Sequence, residues 1–147
     1  MINNKQEQIV LGFDFGTKRI GVAVGQTVTQ SASPLTTVPA KEGIPQQGVI
    51  QKLIKRWQPD ALIVGIPCHM DGSDQPITWA ARKFIVWLKQ EFDIPVYEMD
   101  ERLSTKDARR NLFDEGGFKA LQGGQIDRVA AQLILQNWLD QQQESLK

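Results

Sequence analysis

The chain has 147 residues and a single cysteine, Cys68, so it cannot close an intrachain disulfide, and its thiol usage fits a reducing compartment. It also lacks net charge, because 17 lysines and arginines balance 17 aspartates and glutamates. The whole molecule therefore offers no field for tight non-specific binding of nucleic acid, and any such binding must come from a local basic patch. Met1 to Gln8 lack the apolar core of a signal peptide, and no apolar run approaches membrane-spanning length. No internal repeat or low-complexity linker interrupts the chain. These absences point to a cytoplasmic protein built as one domain over residues 1–147, ordered from about residue 8 to about 140. Hydrophobic residues make up 41%, enough for a real core at this length.

What is present begins with Ile9–Val24. Ile9 to Phe13 is a short apolar run of β-formers, Gly16-Thr17-Lys18 supplies a turn, and Ile20 to Val24 resumes the strand pattern. Ala32 to Val38 makes a third strand, followed by a loop over Pro39–Gly43. A helix is expected over Pro45–Trp57, then an unbroken apolar strand, Ala61–Ile66, of the kind covered on both faces. A loop over Pro67–Asp74, a helix over Ile77–Phe92 and a strand over Ile94–Met99 follow. Ser104 caps a helix reaching about Phe113, Asp114–Gln125 reads as a glycine-rich loop, and a last helix begins near Ile126 and frays from Gln141. The order βββαβαβαα predicts an α/β fold: a five-stranded mixed sheet, order 3-2-1-4-5, with helices on both faces. All four tryptophans fall at apolar helical positions, which predicts core packing for Trp57, Trp79, Trp87 and Trp138.

Three acidic features carry the candidate chemistry. Asp14 ends the first strand inside an apolar run, where a carboxylate is costly to desolvate unless a cation, a donor or an open cleft meets it. Its structural alternative is to accept hydrogen bonds from the turn around Thr17. Asp100 and Glu101 end the fifth strand, where open α/β sheets place ligand crevices. Strand alternation sets them on opposite faces, so parity alone cannot choose between them. Asp127 falls in the first turn of the last helix, where it could simply complement the helix dipole. Oxygen-only ligands gathered from separate elements suit Mg²⁺ or Mn²⁺, which activate water and stabilise the leaving oxygen in phosphodiester cleavage. Lys18, Arg19, Arg102, Arg109 and Arg110 could meet phosphates. Cys68 and His69 are adjacent and lack the spacing of a zinc site.

Four motifs in order extend the reading: Asp14-Phe15-Gly16-Thr17-Lys18-Arg19-Ile20-Gly21, Val64-Gly65-Ile66-Pro67 with Asp71-Gly72-Ser73, Asp100-Glu101-Arg102-Leu103-Ser104-Thr105, and Ile126 to Gln136. Over about Ile9 to Leu139 the chain resembles the YqgF (RuvX-like) family of pre-16S rRNA nucleases and Holliday junction resolvase homologues. The resemblance implies a ribonuclease H-like fold and a metal-dependent nuclease maturing the 5′ end of pre-16S rRNA, with a Holliday junction resolvase as the alternative. It implies Asp14, Glu101 and Asp127 as catalytic acids and ligands of Mg²⁺ or Mn²⁺; Thr17, Lys18 and Arg19, just beyond Asp14, and Arg102, just beyond Glu101, are the expected contacts to nucleic acid. A fourth carboxylate would come from Asp71, Asp74 or Asp100. The implied partners are pre-rRNA or branched DNA, with room for a ribosomal-subunit contact and no membrane. The oligomeric state expected is a monomer or weak dimer.

Two other classes compete. The Asp-x-Gly-Thr turn also opens actin-like and sugar-kinase ATPases, but those need two such domains around a nucleotide cleft, and this chain has the length of one. A non-enzymatic RNA-binding factor in ribosome assembly or transcription would keep the fold without the cleavage. Metal-dependent cleavage separates the nuclease from the binding module.

Overall fold

The computed structural model describes residues 8–66, 76–100 and 123–145. In chain order they form β1 (Ile9–Asp14), β2 (Arg19–Gln26), β3 (Ser31–Lys41), β4 (Ile44–Pro45), α1 (Val49–Trp57), β5 (Ala61–Ile66), α2 (Pro76–Glu91), β6 (Val96–Asp100) and α3 (Gly123–Ser145). The strands make one sheet in the order β4-β3-β2-β1-β5-β6. β1 runs antiparallel to β2 and parallel to β5, which in turn runs parallel to β6. The expected order 3-2-1-4-5 is thus present as β3-β2-β1-β5-β6, with the apolar run Ala61–Ile66 inside the sheet. The sheet has six strands, however, not five.

The additional strand arises where a loop is expected. β3 continues to Lys41 and turns through Glu42 (φ 53°) and Gly43 (φ 84°), so that Lys41 pairs with Ile44 and Ala40 with Pro45. Two successive residues at positive φ make the tight hairpin turn whose twist matches that of the strands it joins. Because Ile44–Pro45 is strand, α1 starts at Val49, after Gly48 at φ 85°, rather than at Pro45. At the other end of the chain, Gly123–Gln125 are helical and not part of a loop, and α3 persists past Gln141 to Ser145. Asp127 is therefore the fifth residue of α3, in its second turn. The expected helix over Ser104–Phe113, the loop Pro67–Asp74 and residues 114–122 lie outside the described residues.

Strand alternation divides the core in two. On one face Leu11, Phe13, Ile20, Val22, Leu62 and Val64 pack against Ile50 of α1 and Ala81, Phe84, Ile85 and Leu88 of α2. On the other, Val10, Ala23, Ala61, Ile63 and Met99 pack against Ala131, Ile134, Leu135, Trp138 and Leu139 of α3. Phe13 meets Phe84 edge to face at 5.7 Å, a preferred aromatic geometry. α3 approaches β1 so closely that a Cβ on Gly12 would lie 2.8 Å from Leu135 Cβ. Two glutamines one turn apart fasten α3 to the start of β3. Gln132 Nε2 donates to the Ala32 carbonyl at 3.0 Å, and Gln136 Oε1 accepts from the Ala32 amide at 3.1 Å. Gln136 Nε2 also donates to the Gln30 carbonyl at 2.8 Å. Among the tryptophans, Trp138 is buried, and Trp57 and Trp87 are partly buried, but Trp79 is 59% exposed, against the expectation of core packing. It occupies a solvent-facing position of α2, whose apolar face is already filled by Ala81, Phe84, Ile85 and Leu88.

Candidate active site

Asp14 is the last residue of β1, and its direction follows from the two residues before it on the same parity. Val10 packs against α3 and the Gly12 Cβ position meets Leu135 of α3, so a period of two turns Asp14 to the α3 face. Its neighbours across the sheet are Gly21 of β2 and Gly65 of β5. Both glycines stand at α3-facing positions of their strands, between Ile20 and Val22 and between Val64 and Ile66 of the other face. The carboxylate thus emerges between two strand positions that carry no side chains, and glycine at such a place permits another group to approach the backbone closely. Asp14 is half-buried.

Asp127 arrives at the same place from α3. A Cβ on Gly21 would collide with the Asp127 carbonyl and lie 3.0 Å from Asp127 Cβ. Gly21 is the residue that pairs with Asp14, so two acids 113 positions apart in sequence sit over adjacent strands at one end of the sheet. Only glycine permits this approach, because the atoms in the way are helix backbone, which cannot rotate aside. Arg19, two residues before Gly21, shares its face, and Arg19 Nε donates to Asp127 Oδ2 at 2.7 Å. With the Arg19 side chain 53% exposed and that of Asp127 22% exposed, solvent screens the pair, which contributes about 0–1 kcal/mol. A contact this weak can be exchanged for another at little cost.

The turn that carries the remaining candidates is held from outside. Thr17, Lys18 and Arg19 are exposed, while the Thr17 carbonyl accepts from the Gly43 amide at 2.9 Å and the Lys18 carbonyl from the Ala40 amide at 2.8 Å. The β3–β4 hairpin therefore fixes the backbone of the β1–β2 turn and leaves its side chains in solvent beside the acids.

The structure brings together Asp14, Arg19 and Asp127, with Thr17 and Lys18 on the adjoining turn. Glu101, Arg102, Arg109, Arg110, Asp71, Asp74, Cys68 and His69 lie outside the described residues, as does the side chain of Asp100. Among the described residues no three acidic, histidine or cysteine side chains gather into a metal-binding group. The donors that do converge are hard oxygen ligands, the chemistry that Mg²⁺ and Mn²⁺ take. Sequence reasoning missed Gly21 and Gly65 as parts of the site; their signal was the Ile-Gly-Val and Val-Gly-Ile placement inside two strands, where glycine otherwise weakens a strand. A cavity of about 630 Å³ opens on the other side of the sheet, between the β3–β4 hairpin and α2, lined by Ile44, Gln51, Phe84 and Trp87 among others. None of Asp14, Thr17, Lys18, Arg19 or Asp127 borders it. No described helix is long and apolar enough to cross a membrane.

Comparison with known proteins covers nearly the whole chain. A relative from Shewanella denitrificans, named as a proposed pre-16S rRNA nuclease, is 53% identical over 135 residues, covering 92% of this chain and 96% of its own length. One of the same name from Pectobacterium carotovorum is 49% identical over 137 residues, covering 93% of this chain and 99% of its own. Among solved structures, Thermus thermophilus RuvC in complex with a Holliday junction substrate superposes with a TM-score of 0.57 at 17% identity, covering 92% of this chain and 96% of that one. That likeness shows a shared fold, in agreement with the ribonuclease H-like expectation. A family model described as RuvX, Holliday junction resolvase, matches residues 8–141, from the strand before Asp14 to beyond Asp127, and the chain belongs to that family.

Proposed function

We propose that this chain is a metal-dependent endonuclease that hydrolyses phosphodiester bonds of pre-16S rRNA, maturing its 5′ end. The observation that carries the reading is the convergence of Asp14 and Asp127 over the glycine pair Gly21 and Gly65. Two carboxylates brought to one end of the sheet repel each other, which favours a cation between them over a purely structural role. The two acids fit Mg²⁺ or Mn²⁺, and we assign the third ligand to Glu101, two residues after Met99, which packs on the α3 side. Such ions supply an activated water and charge stabilisation at the departing oxygen.

The chain's own residues do the rest. Asp14, on a strand paired on both sides, presents a rigid carboxylate, and Asp127 is fixed by its backbone contact with Gly21. Lys18 and Arg19, with Arg102, take the phosphates flanking the scissile bond, and the Thr17 hydroxyl adds a neutral donor. Arg19 leaves Asp127 to do so, and the carboxylate it releases becomes available to a cation. The reading has the protein acting in the cytoplasm as one ribonuclease H-like domain over residues 1–147, as a monomer or weak dimer.

The names carried by relatives about half identical to this chain favour RNA, while the resolvase likeness at 17% identity speaks for fold alone. Incubating the purified protein with a pre-rRNA leader and with four-way junction DNA, each with Mg²⁺, Mn²⁺ or EDTA, tests the choice. Metal-dependent cleavage of the leader is expected. Cleavage confined to the junction would make the protein a resolvase, and binding without cleavage of either would make it an assembly factor.

A further inference from the structure

We infer that the outer face of α2 is a stacking platform for single-stranded nucleic acid, centred on Trp79 and separate from the acidic site. The inference rests on the nucleic-acid reading above, though not on cleavage. Trp79 is 59% exposed, and the Arg82 guanidinium lies 5.5 Å from its ring centroid. Lys83, one turn on, is exposed, as are Val86 (52%) and Lys89. At spacings of three, four and seven residues, Arg82, Lys83 and Val86 share one helical stripe with Trp79. Over its 16 residues α2 carries three cations, Arg82, Lys83 and Lys89, against one acid, Glu91, and it has no acid in its first turn. In a chain of zero net charge, this is a local basic patch of the kind that nucleic-acid binding requires. An indole with most of its surface in water and a guanidinium over one face has the parts of a single-strand platform: an outer stacking surface for a base, made of the ring or of the guanidinium plane upon it, and Lys83 one turn on for a phosphate.

The topology sets this platform at the site's end of the sheet. β5 and β6 are parallel, so the helix between them must carry the chain back from where β5 ends to where β6 begins. Trp79, the fourth residue of α2, therefore lies toward the end of the sheet where Asp14 pairs with Gly65. α2 covers the face of the sheet opposite α3, so a strand held at the acids would have to pass around that end of the sheet to meet Trp79. The competing occupant of an exposed Trp–Arg patch is a second copy of the chain, because both residues are enriched at protein interfaces. The charge argues against it, since two such helices would face each other with three cations and one acid apiece.

The test measures binding of a fluorescent single-stranded RNA and of an RNA duplex in EDTA, where cleavage is absent, for the parent, Trp79→Ala and Trp79→Phe, alongside sedimentation. Trp79→Ala should weaken single-strand binding about tenfold, with duplex binding unchanged, because duplex bases are already stacked on one another. Trp79→Phe should restore most of the loss, which a purely structural role for an exposed side chain would not do. Equal single-strand affinity in all three proteins would overturn the platform and leave the nuclease reading intact. A dimer that Trp79→Ala dissociates, with RNA affinity unchanged, would overturn it in favour of a copy contact. No binding by the parent would overturn both readings.

Discussion

Gly21→Ala is the smallest change that should separate the two acids. The added methyl would overlap the carbonyl of Asp127 and lie 3.0 Å from its Cβ. Neither atom belongs to a side-chain end that can swing away, so α3 must lift from β2 or β2 must bend. α3 is also held by Gln132 and Gln136 on β3 and by Leu135 and Leu139 in the core, so the shift works against fixed contacts. Overpacking of this kind costs about 1–3 kcal/mol, which lowers Tm by about 2–12 °C for a chain of this size. The functional loss should exceed the thermal one, because the displaced atoms are those of a proposed metal ligand. Gly48→Ala is the control. Its φ of 85° makes alanine unfavourable by about 1–2 kcal/mol, yet nothing lies within 4 Å and the site is remote. Differential scanning fluorimetry with a cleavage assay should show both variants destabilised and only Gly21→Ala strongly impaired. A Gly21→Ala protein with the parent's Tm and the parent's cleavage rate would refute the close approach of Asp127 to β2.

Other expectations follow from individual side chains. Leu135→Ala, fully buried between α3 and β1, should cost about 2–5 kcal/mol in chemical denaturation; a change under about 1 kcal/mol would mean that α3 is not packed on that face. Replacing Lys18 and Arg19 together by alanine should leave Tm nearly unchanged, because both are exposed and the Arg19–Asp127 pair is worth little. In the same variant the log–log salt dependence of single-strand RNA binding should flatten by about 0.7 for each phosphate no longer neutralised, and an unchanged slope would show that these cations do not meet phosphate.

Much of the scaffold was legible because it is local. β1, β2 and β5 are short apolar runs bounded by turns, and a sheet buried on both faces leaves that signature. β4 was not legible: its turn has Glu42 at positive φ, where asparagine, aspartate or glycine would have signalled a hairpin. Gly123–Gln125 read as loop because glycine is a poor helix former, and the packing of α3 on the sheet overrides that preference. Trp79 read as core because periodicity alone does not show which side of a helix is already filled. Asp14 stood out as a carboxylate in an apolar run. Its relation to Asp127 is tertiary, since the Arg19–Asp127 contact spans 108 residues and no spacing rule reaches that far. The glycine that admits Asp127 acquires meaning only once the register sets Gly21 beside Asp14.

The nuclease reading stands or falls on Asp14 as a metal ligand and not as an acceptor for its own turn. Asp14→Asn keeps the size and most of the hydrogen bonding of the side chain while removing the charge that holds a cation. The decisive comparison is cleavage of the pre-rRNA leader with Mn²⁺ by the parent and by Asp14→Asn at equal Tm. The variant is expected to fold, to bind the RNA and no longer to cut it. An Asp14→Asn protein that cuts as fast as the parent would contradict the assignment of Asp14 to the metal.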